Sequence, residues 1–523
     1  MPDATKFYLT TAIDYPNSAP HIGTAFEKIG ADVQARYRRM EGFNVRFLMG
    51  NDENTIKVAK RATELGKDPK TYCDEMAEQF KAVWRALDIS FDDFIQTSEP
   101  RHHLGCQRFI QKVFENGHIY RGKYEGLYCE GCEAYKTEKE LVEGKCPNHQ
   151  TVPLRRSEPC YYFRLSAFQE KLLAFYEQNP DFIQPESRRN EVLSLVQAGL
   201  QDINITRADQ AWGIRVPFDP AYTIYVWFDA LLNYITAIGY GADDALFNRW
   251  WPADFHFIGK DITRFHCALW PAMLMAAGVE CPRQVFGHGF VYIKNEQTGV
   301  AEKISKSLGN VVQPMDIITK FSGEAFRYFF MRECPFPGDG EFGWGRFADV
   351  YNSELANNLG NLYSRVVTLI TRNYQGHLPD THRLEPGEIY TREDIKASVN
   401  KAQAHVEACE YNQALQTIWQ QVLDPANQYA DRMAPWKLVK TDLAAAKRVL
   451  FDLTESLRAA AILLKPFLPK SAETIYRSFN FVQSWENVRY EDVWVYPRQT
   501  DDLRVVAKLD SAGKVAPLFP RIS

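Results

Sequence analysis

The opening of the chain constrains its fold more than any other stretch. Phe7 to Ile13 reads as a buried strand, Tyr15 to Pro20 as a turn rich in Pro, Asn and Ser, and a helix starts near His21. Ile22, Phe26, Ile29, Val33, Tyr37 and Met40 recur at helical spacing and give that helix one apolar face. Pro20 stands at its mouth and Gly42 at its end. Val45 to Met49 is a second short strand. Strand, helix and strand in this order open a parallel sheet with crossover helices.

A chain of 523 residues is too long for one simple core, so two to four domains are expected. Ile56 to Gly66, Tyr72 to Leu87 and Leu104 to Asn116 read as helices. From Gly117 the texture becomes short-stranded, Gly-punctuated and Cys-bearing between Tyr120 and Tyr162, which reads as an insertion into the first domain. Alternation returns at Tyr222 to Tyr234 and Phe255 to Gly278, followed by one strand from Gln284 to Lys294. After about Phe347 the pattern is helical: Leu355 to Tyr374, Glu393 to Cys409, Asn412 to Tyr429 and Leu443 to Phe467 each carry an apolar face, as in a bundle. The expected division is 1–116, 117–221, 222–323, 324–352 and 353–523.

A hydrophobic share of 45% and a charged share of 24% are ordinary for a soluble globular protein. The net charge of −5 gives no global basic face, so any nucleic acid would have to bind a local basic surface. The N-terminus shows no secretory signal. The longest apolar run, Phe265 to Val279, is too short to span a bilayer, so no membrane association is expected. Ten cysteines in so long a chain do not suggest a disulfide framework and fit a reducing, cytoplasmic setting.

Two short motifs look like the halves of one ATP phosphate site. The first is Pro20-His21-Ile22-Gly23-Thr24 and the second Lys303-Ile304-Ser305-Lys306-Ser307. A helix N-terminus offers unpaired N–H groups and a favourable dipole to phosphate. His21 would add a donor there, and Gly23 leaves room for a nucleotide. Lys303 and Lys306 would supply mobile positive charge, with hydrogen bonds from Ser305 and Ser307. A solvated loop and an ordinary helix start are the bland alternatives for each motif alone. A third pattern, Cys129-x-x-Cys132 followed by Cys146-x-x-His149, offers three thiolates and an imidazole to one structural Zn2+. A redox CxxC is the other option, although no strand–helix context follows Cys132.

With these motifs in place, the chain resembles the methionyl-tRNA synthetases, which are class I aminoacyl-tRNA synthetases, across nearly its whole length. His21 to Thr24 matches the family's HIGH signature and Lys303 to Ser307 its KMSKS signature. Thr24 replaces the final His, Ile304 replaces Met, and Asn51-Asp52-Glu53-Asn54 departs from a more usual Thr-Asp-Glu-His. The resemblance implies an α/β fold: a Rossmann-like parallel-sheet catalytic domain, an inserted zinc-knuckle connective domain and an all-α helical-bundle anticodon-binding domain. Residues 324–352 would be a stem-contact linker. It implies formation of methionyl-adenylate from methionine and ATP with Mg2+, then transfer to the 3′ end of tRNA(Met).

The resemblance also assigns roles. His21, Thr24, Lys303 and Lys306 would be catalytic. Gly23, Gly259, Asp261 and Ser305 would join them at ATP, the second and third of these within His256-Phe257-Ile258-Gly259-Lys260-Asp261-Ile262. Methionine would meet Ala12, Ile13, Tyr15, Trp227, Ala230, Leu231, Tyr234, Phe265, His266 and Trp270, with Asp52 on its ammonium. In a generic protein these aromatics would simply be core. Asn361, Arg365 and Trp436 would read the anticodon, whereas a packed helical bundle is the bland alternative. No segment is long enough for the large editing insertion of the leucyl, isoleucyl and valyl relatives. No C-terminal OB-fold module is visible, so a monomer is expected. A cysteine-activating relative, a non-catalytic tRNA-binding paralogue and a nucleotidyltransferase sharing only the first motif are the alternatives.

Overall fold

The structure, a computed structural model, describes residues 5–131, 134–136, 138, 141–208, 210–295, 297–304, 310–381, 384, 389, 392–494, 502–511 and 514–522. In chain order its strands run β1 (Lys6–Thr11), β2 (Asn44–Asn51), β3 (Asp93–Gln96), β4 (Ile119–Cys129), β5 (Ala134–Lys136) and β6 (Leu154–Phe163). They continue with β7 (Ile183–Gln184), β8 (Ile203–Asn204), β9 (Thr206–Arg207), β10 (Thr223–Ile224), β11 (Phe255–Gly259) and β12 (Val285–His288). Three more, β13 (Val291–Lys294), β14 (Ala301–Lys303) and β15 (Gly340–Phe342), form a small separate sheet. Among the described residues no helix is long and apolar enough to cross a membrane.

The main sheet has the order β3-β2-β1-β11-β12-β7, and every pairing in it is parallel. Leu9 of β1 lies opposite Phe47 of β2 on one side and Phe255 of β11 on the other. The strand order therefore turns around at β1. In open parallel sheets a crevice forms beyond the carboxyl ends of the strands at such a reversal. The first helix, α1 (Ile22–Met40), begins there.

The periodicity gives α1 one apolar face, but the structure also buries Glu27, Lys28, Asp32 and Gln34. The helical region packs against the polar side. Tyr411 donates its hydroxyl to the Gly30 carbonyl at 2.8 Å, and Tyr37 donates to Glu407 at 2.7 Å. Gly30 admits this close packing because a Cβ there would stand 2.2 Å from the ring of Phe336. Asp32 pairs with Arg36 at 2.8 Å and with the fully buried Arg327 at 2.7 Å. Arg327 also donates to the carbonyls of Leu87, Pro466 and Phe467 at 3.2, 2.9 and 3.0 Å. Burial pushes the Asp32 carboxyl up, but Arg36, Arg327 and the Ser90 hydrogen bonds outweigh it and hold the group down at about 2.

Three segments differ from the sequence expectation. The stretch Gln284 to Lys294 is two strands in two sheets, because the chain bends at Gly289. A Cβ at Gly289 would lie 1.7 Å from the Gly338 carbonyl oxygen, so only glycine lets the Gly338 backbone pass this close. The region 117–221 is built on a long antiparallel ribbon, with β4 paired to β6 from Ile119↔Phe163 to Tyr128↔Leu154. It also returns β7 to the edge of the main sheet beside β12, so it is not wholly a separate body. The helix predicted over Asn412 to Tyr429 contains a widened π turn at Trp419–Leu423, just before Pro425. Proline lacks the N–H that a regular helix would use there.

The last residues pack back on the helical region. Tyr351 donates to the Pro520 carbonyl at 2.8 Å, and Arg521 donates to Asn357 at 2.6 Å. Replacing Arg327 by Met should leave the Asp32 carboxylate buried without its main inner partner. Removing one member of such a pair costs about 3–5 kcal/mol, which urea unfolding monitored by circular dichroism will read.

Candidate active site

A cavity of about 450 Å3 opens beyond the end of β1 and the mouth of α1. Its wall includes Ala12, Ile13, Tyr15, His21, Gly23, Thr24, Asp52, Trp227, Ala230, Leu231, Tyr234, Gly259, Asp261, His266 and Lys303. These residues come from both sequence halves of the sheet. His21 is the cap of α1: its Nδ1 accepts from the Thr24 backbone N–H at 3.3 Å. The neutral ring therefore carries its proton on Nε2. A Cβ at Gly23 would stand 3.6 Å from Ile304 Cδ1, so the two motifs meet across this glycine. Ser305 and Lys306 lie outside the described residues.

Phe290, which the sequence reading did not single out, lies beneath two ammonium groups. Lys260 Nζ is 4.6 Å from its ring centroid and Lys303 Nζ 5.2 Å. Lys260 also pairs with Asp339 at 2.6 Å. The cavity wall also carries three carboxylates, Asp14, Glu27 and Asp52. Lys28, fully buried, balances part of this charge: it donates to Glu27 at 2.6 Å and to the Ala12 carbonyl at 2.7 Å, and it pairs with Asp14 at 3.1 Å. Burial pushes the Asp14 carboxyl up, while the Lys28 charge opposes it. Glu27 in turn meets His288 Nε2 at 2.9 Å. Glu27 lies in a helical pattern and His288 at the end of a strand, where neither residue type stands out, so no sequence signal pointed to them.

The aromatic end is ordered by hydrogen bonds. Tyr8 donates to the Tyr234 carbonyl at 2.7 Å. His266 Nδ1 donates to the Ile262 carbonyl at 3.1 Å, and its Nε2 accepts from the Tyr234 hydroxyl at 2.8 Å. Burial pulls the His266 ring down to about 4, so it is neutral at physiological pH. Two expected pocket residues do not line the cavity. Phe265 stacks on Trp227 with ring centroids 3.8 Å apart, and Trp270 is fully buried behind Tyr234 at 6.1 Å. Both support the wall from behind.

The metal-type cluster keeps three of its four expected members within the described residues. Cys129 Sγ and Cys146 Sγ lie 3.9 and 3.8 Å from His149 Nδ1. Ligands about 2.0–2.3 Å from a tetrahedral Zn2+ stand roughly 3.5–3.8 Å from one another, so the spacing fits such an ion. Gly131 lets the imidazole approach, because a Cβ there would be 2.4 Å from the His149 ring. Cys132 lies outside the described residues.

Far from this cavity, Arg365 and Trp436 meet at the wall of a second cavity of about 770 Å3, with the guanidinium carbon 5.2 Å from the indole centroid. Asn361 begins the helix Asn361–Tyr374, one turn before Arg365, but is not part of that wall. Asp510, Lys514, Val515 and Pro517 form the opposite side, which the sequence did not indicate.

A parallel sheet whose first helix aims a capped N-terminus into a cavity, closed from the far side by a lysine-bearing strand, defines a class I aminoacyl-tRNA synthetase. A family model described as tRNA synthetases class I (M) matches residues 7–153 and 148–367, and one described as the anticodon binding domain of methionyl tRNA ligase matches residues 378–496. The chain is 42% identical to a methionine–tRNA ligase of Caldanaerobacter subterraneus subsp. tengcongensis over 490 residues, covering 92% of this chain and 76% of that one. It is 39% identical to that of Clostridium acetobutylicum over 549 residues, covering 100% and 84%. The solved Mycobacterium tuberculosis methionyl-tRNA synthetase in complex with methionyl-adenylate superimposes with a TM-score of 0.89 at 38% identity, covering 99% of this chain and 100% of that one. The chain belongs to the methionyl-tRNA synthetase family.

The buried His266 gives a pH prediction. Its folded value of about 4 lies below the ordinary 6.5, so the folded state resists protonation. Stability is then full above pH 6.5 and falls as the pH drops toward 4, by up to about 3 kcal/mol from this ring. His256, also pulled down by burial, acts in the same direction. Thermal melts across this window should show the loss, and His266→Gln should reduce it.

Proposed function

We propose that this cavity activates methionine with ATP and that the chain then transfers methionine to the 3′ end of tRNA(Met), as a methionine–tRNA ligase. The observation that carries the reading is the meeting of His21–Thr24 with Lys303–Ile304 around one cavity. Asp52, on the cavity wall, is the partner for the substrate ammonium. The apolar wall of Ile13, Trp227, Ala230 and Leu231 suits a thioether side chain, which is long, flexible and weakly polar. Tyr15 and His266 supply polar atoms, the latter with its Nε2 already accepting from Tyr234.

The nucleotide lies between the two motifs, with Gly259 and Asp261 toward its nucleoside. A methionine carboxylate oxygen bonds to the α-phosphorus, the bond from that phosphorus to the bridging oxygen breaks, and pyrophosphate leaves. The nucleophile is already an anion, so positioning and charge stabilisation carry the step rather than a strong base. The Nε2–H of His21, at the mouth of α1, faces the phosphates, while Lys303 and Lys306 meet the charge that develops on the leaving group. Thr24 can donate a hydrogen bond but adds no charge. Mg2+ accompanies ATP and neutralises its phosphate oxygens. The 3′-terminal adenosine hydroxyl of tRNA then displaces AMP from the adenylate.

The domain assignment is the one expected from sequence. Residues 1–116 and 222–323 carry the catalytic halves, 117–221 the connective insertion, 324–352 the linker and 353–523 the anticodon-binding helices and tail. Cys129, Cys132, Cys146 and His149 hold one structural Zn2+, which ties down a segment too small to build its own core. Asn361, Arg365 and Trp436 read the anticodon, where guanidinium and amide groups recognise base edges and an indole stacks on an unpaired base. None of the nine described cysteines is in a disulfide, which fits a cytoplasmic setting. Sedimentation will check the monomeric state.

Methionine-dependent pyrophosphate exchange, run against all twenty amino acids, tests the reading directly: exchange with another amino acid instead would overturn it. Lys306→Ala should lower kcat in that assay by about a hundredfold or more while substrate binding changes little. Trp436→Ala should spare exchange but raise the KM for tRNA by about tenfold to a hundredfold, given about 1–3 kcal/mol per stacked base. Metal analysis should find about one zinc per chain, and Cys129→Ser should lower that content.

A further inference from the structure

We propose that Asn54 and Asp229 form a buried clip that positions the amino-acid end of the cavity, with His102 as its third member. Asn54 is one of the places where the chain departs from the usual family pattern. Its Nδ2 donates to Asp229 Oδ2 at 2.8 Å and to the Thr97 carbonyl at 3.0 Å. The other Asp229 oxygen accepts from His102 Nε2 at 2.6 Å, and His102 Nδ1 meets the Thr236 hydroxyl at 2.8 Å. Asp229 and His102 are fully buried, and Asn54 nearly so. Neither Asn54 nor Asp229 belongs to the cavity wall.

The clip joins two wall segments that are 175 residues apart in sequence. Asp52 stands two residues before Asn54. Trp227 and Ala230 flank Asp229 on the short helix Val226–Ala230. One amide–carboxylate pair therefore sets the distance between the ammonium partner and the apolar wall. The Trp212 indole braces the same loop by donating to the Glu53 carbonyl at 2.7 Å.

His102, Asp229 and the neighbouring Cys106 also resemble a metal ligand set, but the distances argue otherwise. Asp229 Oδ1 and Cys106 Sγ lie 2.6 and 3.2 Å from the same nitrogen, His102 Nε2, which are direct hydrogen-bond contacts. Burial, and then the Asp229 charge, push the Cys106 thiol far above its usual range, so it stays protonated. The group is a hydrogen-bonded network. Removing the Asn54 donor leaves a buried carboxylate oxygen short of a partner, and the cheapest relief is movement of the 52–54 loop.

The inference rests on the methionine reading of the cavity. Its test is methionine-dependent pyrophosphate exchange with the full chain, varying methionine and ATP separately. Asn54→Leu keeps the shape but removes both donors. It should raise the KM for methionine about tenfold, with kcat within about threefold and the KM for ATP within about twofold. Asn54→His restores one donor to Asp229 and should recover the methionine KM to within about threefold of the unaltered protein. Thr236→Val, away from the cavity wall, loosens His102 from the other side and should raise the same KM about threefold even where Asn54→Leu does not fold. An unchanged methionine KM in a folded Asn54→Leu or in Thr236→Val would overturn the clip, as would equal rises for methionine and ATP. Failure of the unaltered protein to exchange with methionine would instead remove the underlying reading, and the clip with it.

Discussion

The pairing of β1 with β11 is the contact on which the rest depends. It brings together strands separated by most of the catalytic region and makes β1 the point where the strand order reverses. Without it, the mouth of α1 would face solvent rather than the second half of the sheet. With it, Gly259 at the end of β11 and His21 at the start of α1 share one crevice. The bend at Gly289 then turns the chain out of the main sheet, and the small sheet of β13, β14 and β15 carries Lys303 back over that crevice.

The cavity wall carries charge of both signs. Carboxylates from Asp14, Glu27 and Asp52 lie on it, where buried Lys28 keeps their mutual repulsion tolerable. Lys303 lines the same cavity, and its ammonium and that of Lys260 lie over the Phe290 ring. Such a wall can meet both the ammonium and the carboxylate of an amino acid. The network of Asn54, Asp229 and His102 holds the apolar wall at a fixed distance from Asp52, so amino-acid fit is set partly by groups that no substrate touches.

The same helix that opens the cavity also contacts the helical region. α1 accepts a hydrogen bond from Tyr411 at Gly30, shares Glu407 through Tyr37 and anchors Arg327 through Asp32. Arg327 in turn binds the carbonyls of Pro466 and Phe467, where the long helix Leu443–Leu464 has just ended. The two regions therefore share a buried polar seam, rather than meeting only through a linker. A seam of this kind fixes relative orientation, because its buried donors and acceptors are satisfied in one geometry.

Much was legible in the sequence because the signals were local. The strand–turn–helix opening, the HIGH-like and KMSKS-like motifs, the Cys and His spacing and the helical periodicity after Phe347 each depend on residues a few positions apart. The family resemblance named Arg365 and Trp436 as candidates, although not their contact with each other. What it could not supply was anything that exists only once distant segments meet. Glu27 and Lys28 were not singled out, Phe290 lay within an ordinary strand, and Asn54 was an unexplained departure. Phe265 and Trp270 read as pocket walls but stand behind them. The sequence by itself determined the fold class, the family and the chemistry-bearing motifs, since hydrophobic period, turn residues and ligand spacing are written along the chain. Only the tertiary structure decided which polar groups are buried and what faces them, because burial and partnership arise from the packing of segments far apart in sequence.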